Sequence, residues 1–220
     1  MMNLYIFNAN GIDYVRTLEI YNNFSSNKNL NIKNVKSKNM MKLHILGRYI
    51  LLYGLIYDFG LDYSEISINK NKLGKPYITN HDIYFNISYS YDWVICCISD
   101  SPVGVDIEKI RDIDKNIIEY ISHKNNSWRK IQTSSQLNNY FFTDWCLKES
   151  FVKYLGLGLS YDVRKLNFVN NKQIKLYINN KQINDFFFKT LDIIDGYKIA
   201  ITTQRKKSIK TIFLEEEFLT

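Results

Sequence analysis

The sequence predicts an α+β fold in two halves of similar size, each with a long helix and an antiparallel sheet. Two long helical patterns, at residues 40–58 and 140–155, are the first observation. Short strand-like runs separated by turn residues follow each of these helices, which is the second. The third is the length of 220 residues, which is enough to bury one large core or two small ones.

The first half of the chain is predicted to begin with a strand and two helices. Residues 3–7 give the strand and residues 12–24 the first helix. Residues 40–58 give the strongest helical signal, because apolar residues recur there at spacings of three and four. Gly60 then provides a C-terminal stop. The recurring apolar positions are Met41, Ile45, Tyr49, Leu52 and Ile56.

Strands are predicted to complete the first half and to open the second. The segment Gly74-Lys75-Pro76 has turn chemistry. Residues 83–88 and 93–99 are predicted to be strands joined by a tight turn. Residues 103–110 predict a third strand, so that the three would form an antiparallel meander.

The second half is predicted to contain one long helix and a series of strands. Residues 111–139 are polar, with a short apolar helical pattern at Ile117, Ile118 and Ile121, and are the predicted flexible or partner-facing segment. The helix at residues 140–155 is predicted to stop at Gly156. Five strand-like runs then follow, at residues 165–169, 173–178, 185–193, 197–203 and 210–214.

Composition narrows the class of protein without naming a partner. Hydrophobic residues make up 45% and charged residues 23%, which is ordinary for a globular protein and excludes whole-chain disorder. The 29 Lys and Arg residues outnumber the 22 Asp and Glu residues, and the net charge of +7 suggests an anionic partner. The basic balance alone leaves nucleic acid, a phosphorylated cofactor, an acidic protein and a membrane surface open.

The sequence also predicts the cellular location of the protein. The longest apolar region, residues 43–59, is interrupted by His44, Arg48 and Asp58, so no membrane span is expected. Three cysteines, an odd number, argue against a disulfide framework, and the first residues lack the features of a signal peptide. We therefore expect a cytoplasmic protein that does not bind membranes.

Two carboxylates on the third strand are the first candidate functional residues. Asp106 and Glu108 are two residues apart and therefore share one face of the strand. A hard cation such as Mg²⁺ would neutralise such a pair. From spacing alone, a solvent-facing acidic pair on a half-exposed strand remains the alternative.

The helix at residues 140–155 carries the second set of candidates. Glu149 and Lys153 are four residues apart and therefore adjacent on one flank. Lys148 falls inside the apolar stripe of the helix, which breaks the expected pattern. A surface ion pair for Glu149 and Lys153, and a snorkelling side chain for Lys148, are the alternative interpretations.

Four segments lie in a fixed order along the chain. They are Gly74-Lys75-Pro76, Phe85–Val94, Gly104–Glu108 and Trp145–Lys153. Together they resemble a known family, the 4′-phosphopantetheinyl transferases of the Sfp type, which has a Gly-Lys-Pro turn, an Asn-x-Ser-His strand end, a Gly-x-Asp-x-Glu strand and a Trp-x-x-Lys-Glu-x-x-x-Lys helix. The last two motifs in this order are highly specific, whereas the first two are weak alone.

The resemblance implies a fold and a reaction. The fold would have two pseudo-symmetric halves, placed at residues 1–102 and 103–220, with the active site in the cleft between them. The reaction would transfer 4′-phosphopantetheine from coenzyme A to a serine of an apo acyl or peptidyl carrier protein and release adenosine 3′,5′-bisphosphate. The two-half design implies that the protein is active as a monomer. The family resemblance implies Mg²⁺ as the cofactor, and no nucleic acid is expected as a partner.

The resemblance also implies roles for individual residues. Glu149 and Lys153 would be catalytic, with Glu149 as general base and Lys153 at the transferring phosphate. The metal ligands would be Asp106, Glu108 and Glu149. The residues that bind coenzyme A would be Lys28, His44, Lys75, Pro76, Ser88, Tyr89, Lys148 and Lys153.

The chain departs from the family pattern at two places. Tyr89 stands where the family has a histidine that contacts the 3′-phosphate, and a tyrosine brings no positive charge. We therefore predict weaker discrimination between coenzyme A and its 3′-dephospho form. The early helix also lacks the usual phosphate-binding arginine, for which Lys42 or His44 would substitute.

Three other functions compete with this interpretation. A Mg²⁺-dependent phosphodiesterase or nuclease would use the same carboxylates, but its lysine would be expected at position 110, which is Ile110. A nucleic-acid-binding module would use the clusters at residues 28–42 and 205–210, where no aromatic stacking platform is interleaved. The third alternative is an inactive relative of the family. The presence of all three acids, Asp106, Glu108 and Glu149, together with Lys153, argues against it.

Overall fold

The computed structural model describes residues 1–24, 37–122 and 127–219, and within these ranges the chain is a mixed α+β protein. The helices are α1 (Tyr14–Phe24), α2 (Lys38–Tyr57), α3 (Lys115–Ile121) and α4 (Ser134–Leu155). The first six strands are β1 (Met2–Asn8), β2 (Ile68–Lys70), β3 (Pro76–Ile78), β4 (Tyr84–Ser90), β5 (Trp93–Ser99) and β6 (Val103–Lys109). The last six are β7 (Leu166–Asn170), β8 (Ile174–Ile178), β9 (Lys181–Ile183), β10 (Phe187–Leu191), β11 (Tyr197–Thr203) and β12 (Lys210–Leu214).

The chain divides into two compact units. Unit 1 comprises residues 1–102 and 207–220, and unit 2 comprises residues 103–206. The placement of residues 207–220 in the second half is therefore corrected. The tail belongs to unit 1 because β12 pairs with β1 there, with Asn3 opposite Lys210. Lys207 reinforces the return by an ion pair with Asp100.

Unit 1 is a four-stranded sheet covered by a long helix. The strand order is β12-β1-β5-β4, antiparallel except for the parallel pair β1–β12. Helix α2 lies close to this sheet because glycines face it: a Cβ on Gly47 would stand 2.9 Å from Ile87 Cγ2, and one on Gly54 would stand 2.6 Å from Ile98 Cδ1. The contact buries an apolar core that includes the fully buried Tyr5 and Leu46.

Unit 2 repeats the combination of a sheet with a long helix. Its main sheet has the order β10-β11-β6, and β7-β8-β9 form a second antiparallel sheet. Gly104 of β6 allows α4 to approach closely, since a Cβ there would lie only 2.0 Å from the backbone oxygen of Ser150. The side chain of Ser150 is hydrogen-bonded to that of Thr202 on β11 at 2.8 Å. Helix α4 is therefore held against both β6 and β11.

Several element predictions are confirmed and others are wrong. The long helices and the hairpin β4–β5 occur where the patterns predicted them, and Gly156 ends α4 with φ +69°. The antiparallel meander is wrong, because β6 pairs with β11 rather than with β5. In the polar segment at residues 111–139, α3 confirms the short helical pattern at Ile117, Ile118 and Ile121. The segment also contains the first turn of α4, and Trp128 is only 3% exposed.

Two simpler expectations concern cysteines and membranes. All three cysteines are free and buried, in agreement with the absence of a disulfide framework. Across the described ranges, no helix combines the length and apolar character needed to cross a bilayer.

Candidate functional site

Strand β6 presents Asp106 and Glu108 on the face that carries Gly104. That face is turned toward α4, as the close approach of Ser150 to Gly104 shows. Asp106 is 3% exposed and Glu108 is half-buried. The alternative of a solvent-facing acidic pair is therefore wrong for Asp106, whose carboxylate lies inside unit 2.

Lys153 of α4 forms an ion pair with Asp106. The distance from Lys153 Nζ to Asp106 Oδ1 is 2.6 Å. Burial alone would lower the pKa of the Lys153 ammonium, but the neighbouring Asp106 and Glu149 carboxylates outweigh that effect and raise it. Lys153 is therefore held in its charged form beside the acids.

Glu149 lies one turn before Lys153 on the same flank of α4 and is half-buried. Burial raises the pKa of its carboxyl group, and the negative charges of Asp106 and Glu108 raise it further, whereas Lys153 lowers it. These electrostatic couplings bring Glu149, Asp106, Glu108 and Lys153 together as one group, which we call the acidic cluster. The acidic cluster has two more acids than bases. The raised pKa of Glu149 suits this carboxylate to accept a proton.

The acidic cluster is not a ready-made cage for a metal ion. Among the described side chains, no group of three or more His, Cys, Asp or Glu residues is arranged to hold a metal. The donors nevertheless fit Mg²⁺ by their chemistry, because all of them are carboxylate oxygens and they carry an excess of negative charge. Mg²⁺ commonly takes one or two carboxylates and completes its shell with water and substrate phosphates.

Two residues that contact the acidic cluster were not among the predicted site residues. Trp145 Nε1 donates a hydrogen bond to Glu108 Oε1 at 3.3 Å. Cys146 is fully buried and lies close to Asp106, and burial raises the pKa of its thiol well above the usual value. Trp145 opens the Trp145–Lys153 motif but received no role of its own from it, although its place four residues before Glu149 is a signal for contact with the same flank.

Lys148 is fully buried and bound within unit 2. Its ammonium lies 2.9 Å from Asp144 Oδ2 and donates to the backbone oxygen of Ile121 at 3.1 Å. The snorkelling alternative is wrong, since the side chain is 0% exposed. Lys148 therefore joins α4 to the end of α3, and its contact with a phosphate stays a prediction.

Unit 1 brings together two of the predicted nucleotide-binding residues. The Tyr89 hydroxyl lies 2.7 Å from Nε2 of His44, and the two rings meet edge to face with centroids 4.8 Å apart. Burial lowers the pKa of His44, and the positive charges of Arg48 and Lys70 lower it further. The neutral imidazole is therefore favoured in this pair.

The Gly74-Lys75-Pro76 turn is held by an asparagine. The Asn71 side chain accepts hydrogen bonds from the backbone N–H groups of Leu73 and Lys75. Gly74 adopts φ +87°, which favours glycine. Burial lowers the pKa of Lys75 to about 8. Because burial disfavours the charged form of this half-buried amine, a bound anion would stabilise it.

The remaining predicted residues of this group differ in their surroundings. Ser88 on β4 is 4% exposed, and Pro76, opposite Lys70, opens β3. Lys28 lies outside the described residues. Lys42 binds the backbone oxygens of Ala9 and Ile12 at 3.0 and 3.2 Å, so its ammonium is used within unit 1.

Arg48 is the residue of unit 1 that the sequence analysis missed as a candidate. It lies one turn after His44 on α2, and burial lowers the pKa of its guanidinium. The available signal was a charge inside an apolar helical run, which was used only to exclude a membrane span. A charged residue on a core-facing helix also indicates a functional role, because burying its charge without an acceptor is costly.

Comparisons with known proteins agree on one family. The profile of the 4′-phosphopantetheinyl transferase superfamily matches residues 102–202. The chain is 31% identical over 188 residues to the 4′-phosphopantetheinyl transferase gsp of Aneurinibacillus migulanus, covering 79% of this chain and 78% of that one. It is also 31% identical over 161 residues to the 4′-phosphopantetheinyl transferase Sfp of Bacillus subtilis, covering 71% of each.

A solved structure also matches part of the chain. It is the crystal structure of Thermotoga maritima holo-[acyl-carrier-protein] synthase, with a TM-score of 0.39 and 18% identity. The match covers 48% of this chain and 64% of that one.

Proposed function

The chain belongs to the Sfp-type 4′-phosphopantetheinyl transferases, and on that premise we propose that it modifies an apo carrier protein with phosphopantetheine from coenzyme A. The acceptor would be a serine hydroxyl of an acyl or peptidyl carrier protein. The observation that supports the proposal is the acidic cluster, in which Glu149 and Lys153 lie beside Asp106.

The reaction is a phosphoryl transfer with a defined exchange of bonds. The serine oxygen forms a bond to the phosphorus that carries pantetheine. The bond between that phosphorus and the bridging oxygen of the pyrophosphate breaks, and the bridging oxygen leaves with adenosine 3′,5′-bisphosphate. The serine proton passes to the carboxylate of Glu149, whose raised pKa favours its acceptance.

Asp106, Glu108 and Glu149 would hold Mg²⁺ through carboxylate oxygens. When bound, Mg²⁺ would neutralise crowded oxygens and stabilise negative charge on the leaving phosphate. Lys153 keeps its charge beside Asp106 and would balance charge on the transferring phosphate. Trp145 fixes the orientation of Glu108 through its indole N–H.

The second group of side chains would bind the nucleotide end of coenzyme A. Lys75 offers an ammonium, Tyr89 a hydroxyl and His44 an imidazole that hydrogen-bonds to it. Ser88, Pro76 and Lys28 complete the predicted set from the sequence. The net charge of +7 would also attract the anionic coenzyme A to the protein.

Other expectations stay predictions. They are the pseudo-symmetry of the two halves, an active site in a cleft between them, a monomeric state and a cytoplasmic location. The alternative of a Mg²⁺-dependent nuclease has no support from the comparisons, in which the relatives carry transferase names.

A loading assay tests the proposal directly. The protein is mixed with coenzyme A, Mg²⁺ and a panel of apo carrier proteins, and the carriers are weighed by mass spectrometry. We expect one phosphopantetheine to be added to at least one carrier, and the addition to disappear with a chelator or with Glu149→Gln. Glu119→Gln is the matched control, because Glu119 is exposed on α3 and pairs with Arg129. No addition to any carrier, together with no binding of coenzyme A, would contradict the proposal.

A further inference from the structure

Arg48 is placed among the side chains that would bind the nucleotide. It follows His44 by four residues on α2, so the two side chains are neighbours on one helix face. Its guanidinium lies 5.9 Å from the centre of the Phe85 ring. Phe85 and Tyr89 share one face of β4, because they are separated by an even number of residues. Arg48 therefore lies on α2 beside the His44–Tyr89 pair.

Within residues 1–24, 37–122 and 127–219, no acidic side chain compensates the charge of Arg48. Its Nη1 is buried and has no hydrogen-bond partner within the described part of the chain. It forms no ion pair with a described residue. Residues 25–36 add no counter-charge, since they contain three lysines and neither Asp nor Glu. An arginine in such a place keeps donors for an acceptor from outside the chain.

Leaving a guanidinium partly buried without a counter-charge is unfavourable for folding. Removing a charge from water without pairing it is costly, because the lost hydration is not replaced. Lys70 adds to the positive charge near Arg48, because the charges of both residues act on His44 and lower its pKa. A local surplus of positive charge that the fold does not neutralise is the property of an anion site.

We propose that Arg48 is a specificity-determining residue that recognises the phosphate monoester of the coenzyme A nucleotide beside the His44–Tyr89 pair. This inference rests on the proposed function. A guanidinium suits the task because its planar donors match two phosphate oxygens. Arg48 then supplies the charge that Tyr89 lacks, and the chain discriminates coenzyme A from its 3′-dephospho form. This reverses the expectation drawn from Tyr89 alone.

The test compares two ligands that differ by this phosphate group. Calorimetry measures the binding of adenosine 3′,5′-bisphosphate and of adenosine 5′-monophosphate to the wild type and to Arg48→Met. A hydrogen-bonded charge of this kind contributes about tenfold to a hundredfold in affinity. We expect a loss of that size for the bisphosphate and less than about a twofold change for the monophosphate. Arg16→Met is the matched control, because Arg16 is exposed on α1 and pairs with Glu19.

Thermal unfolding separates recognition from a structural role. If Arg48 serves a ligand, Arg48→Met without ligand unfolds at the same or a higher temperature than the wild type, because an uncompensated charge has been removed. If Arg48 serves only the fold, the variant unfolds at a lower temperature and the affinities for both ligands fall together, which would overturn the proposal.

A second variant keeps the test decisive if Arg48→Met does not fold. Arg48→Lys retains the charge but loses the planar pair of donors, so we expect about a threefold to tenfold loss for the bisphosphate alone. An unchanged ratio of the two affinities in Arg48→Lys would overturn the role of Arg48 while carrier loading by the wild type continued. Failure of the wild type to bind coenzyme A would overturn the proposed function and this inference together.

Discussion

Lys153 Nζ lies 2.6 Å from Asp106 Oδ1, so an ion pair joins α4 to β6 inside the acidic cluster. The two partners are unequal in burial: the Lys153 side chain is 28% exposed and that of Asp106 is 5% exposed. Because the Lys153 side chain is the more exposed of the two, replacing it disturbs the packing less than replacing Asp106 would. A change at Lys153 therefore tests the ion pair itself.

Lys153→Met is expected to destabilise the protein and to slow transfer strongly. The change leaves the Asp106 carboxylate buried without its ammonium, and we expect the free energy of unfolding to fall by about 2–3 kcal/mol, less than for a fully buried pair. Urea unfolding measures this. Carrier loading is expected to fall by about a hundredfold or more, because a charge that balances the transferring phosphate is lost.

Arg164→Met is the control for Lys153→Met. Arg164 also pairs with an aspartate, Asp162, but this pair lies at the surface. Surface pairs contribute little, so stability and loading should stay near the wild-type values. An equal effect of the two changes would contradict the importance assigned to the buried pair.

Glu149→Gln is expected to separate stability from activity. The pKa of Glu149 is raised in the folded protein, so the folded state holds this proton more tightly than the unfolded state does. Ionisation of Glu149 therefore destabilises the fold as the pH rises through its folded pKa. Without added divalent cation, we expect Glu149→Gln to unfold at the same temperature as the wild type at pH 4 and at a higher one at pH 8.

The same variant should lose carrier loading by about a hundredfold or more, as for the loss of a general base. Thermal unfolding across this pH range and the loading assay are therefore measured together. Glu119→Gln should change neither quantity. A Glu149→Gln protein that is less stable than the wild type at pH 8 would argue against the crowding of charge around this residue.

Patterns of local periodicity predicted the long elements but not their partners. Helices α2 and α4 and the hairpin β4–β5 have enough residues to show a repeat of 3.6 or 2. Strands β2, β3 and β9 have three residues each, too few for any period. The pairing of β12 with β1 joins residues some two hundred positions apart, and nothing local in either strand specifies that partner.

The candidate site shows the same division between local and distant information. Glu149 and Lys153 could be placed on one helical flank from their spacing, and Asp106 and Glu108 on one strand face. Their meeting depends on Gly104, which lets α4 approach β6. The His44–Tyr89 contact depends likewise on how α2 crosses β4, which the sequence pattern does not contain.

The affinity for adenosine 3′,5′-bisphosphate is expected to depend on pH through Lys75. Burial lowers its pKa to about 8, so the free protein loses this positive charge as the pH rises through that value. A bound phosphate favours the charged form, and the affinity should therefore fall by about tenfold as the pH rises above 8. Calorimetry at pH 7, 8 and 9 measures the change.

Stability should move in the opposite direction over the same range. Because the folded pKa of Lys75 is lower than the unfolded one, the cost of burying its charge is present below pH 8 and is relieved as the pH rises. Lys75→Arg keeps its charge at all these pH values and should bind the bisphosphate with a flat profile. A wild-type profile as flat as that of Lys75→Arg would contradict the role of Lys75 in binding.

The buried pair of Lys148 and Asp144 can be tested by removing one partner and then both. Lys148→Met leaves Asp144 buried without its ammonium and removes a bond to the Ile121 carbonyl, so we expect a loss of about 3–5 kcal/mol in the free energy of unfolding. Adding Asp144→Leu replaces the second charge with an apolar group, and most of that loss should be recovered.

The double variant also decides whether Lys148 contacts coenzyme A. If Lys148 acts only through Asp144 and Ile121, the double variant should fold, load carriers and show a wild-type KM for coenzyme A. If its ammonium contacts a phosphate, stability should recover while the KM stays raised by about tenfold or more. Steady-state kinetics at several coenzyme A concentrations, run beside urea unfolding, separates the two roles, because a purely structural lysine cannot raise KM in a protein whose stability has been restored.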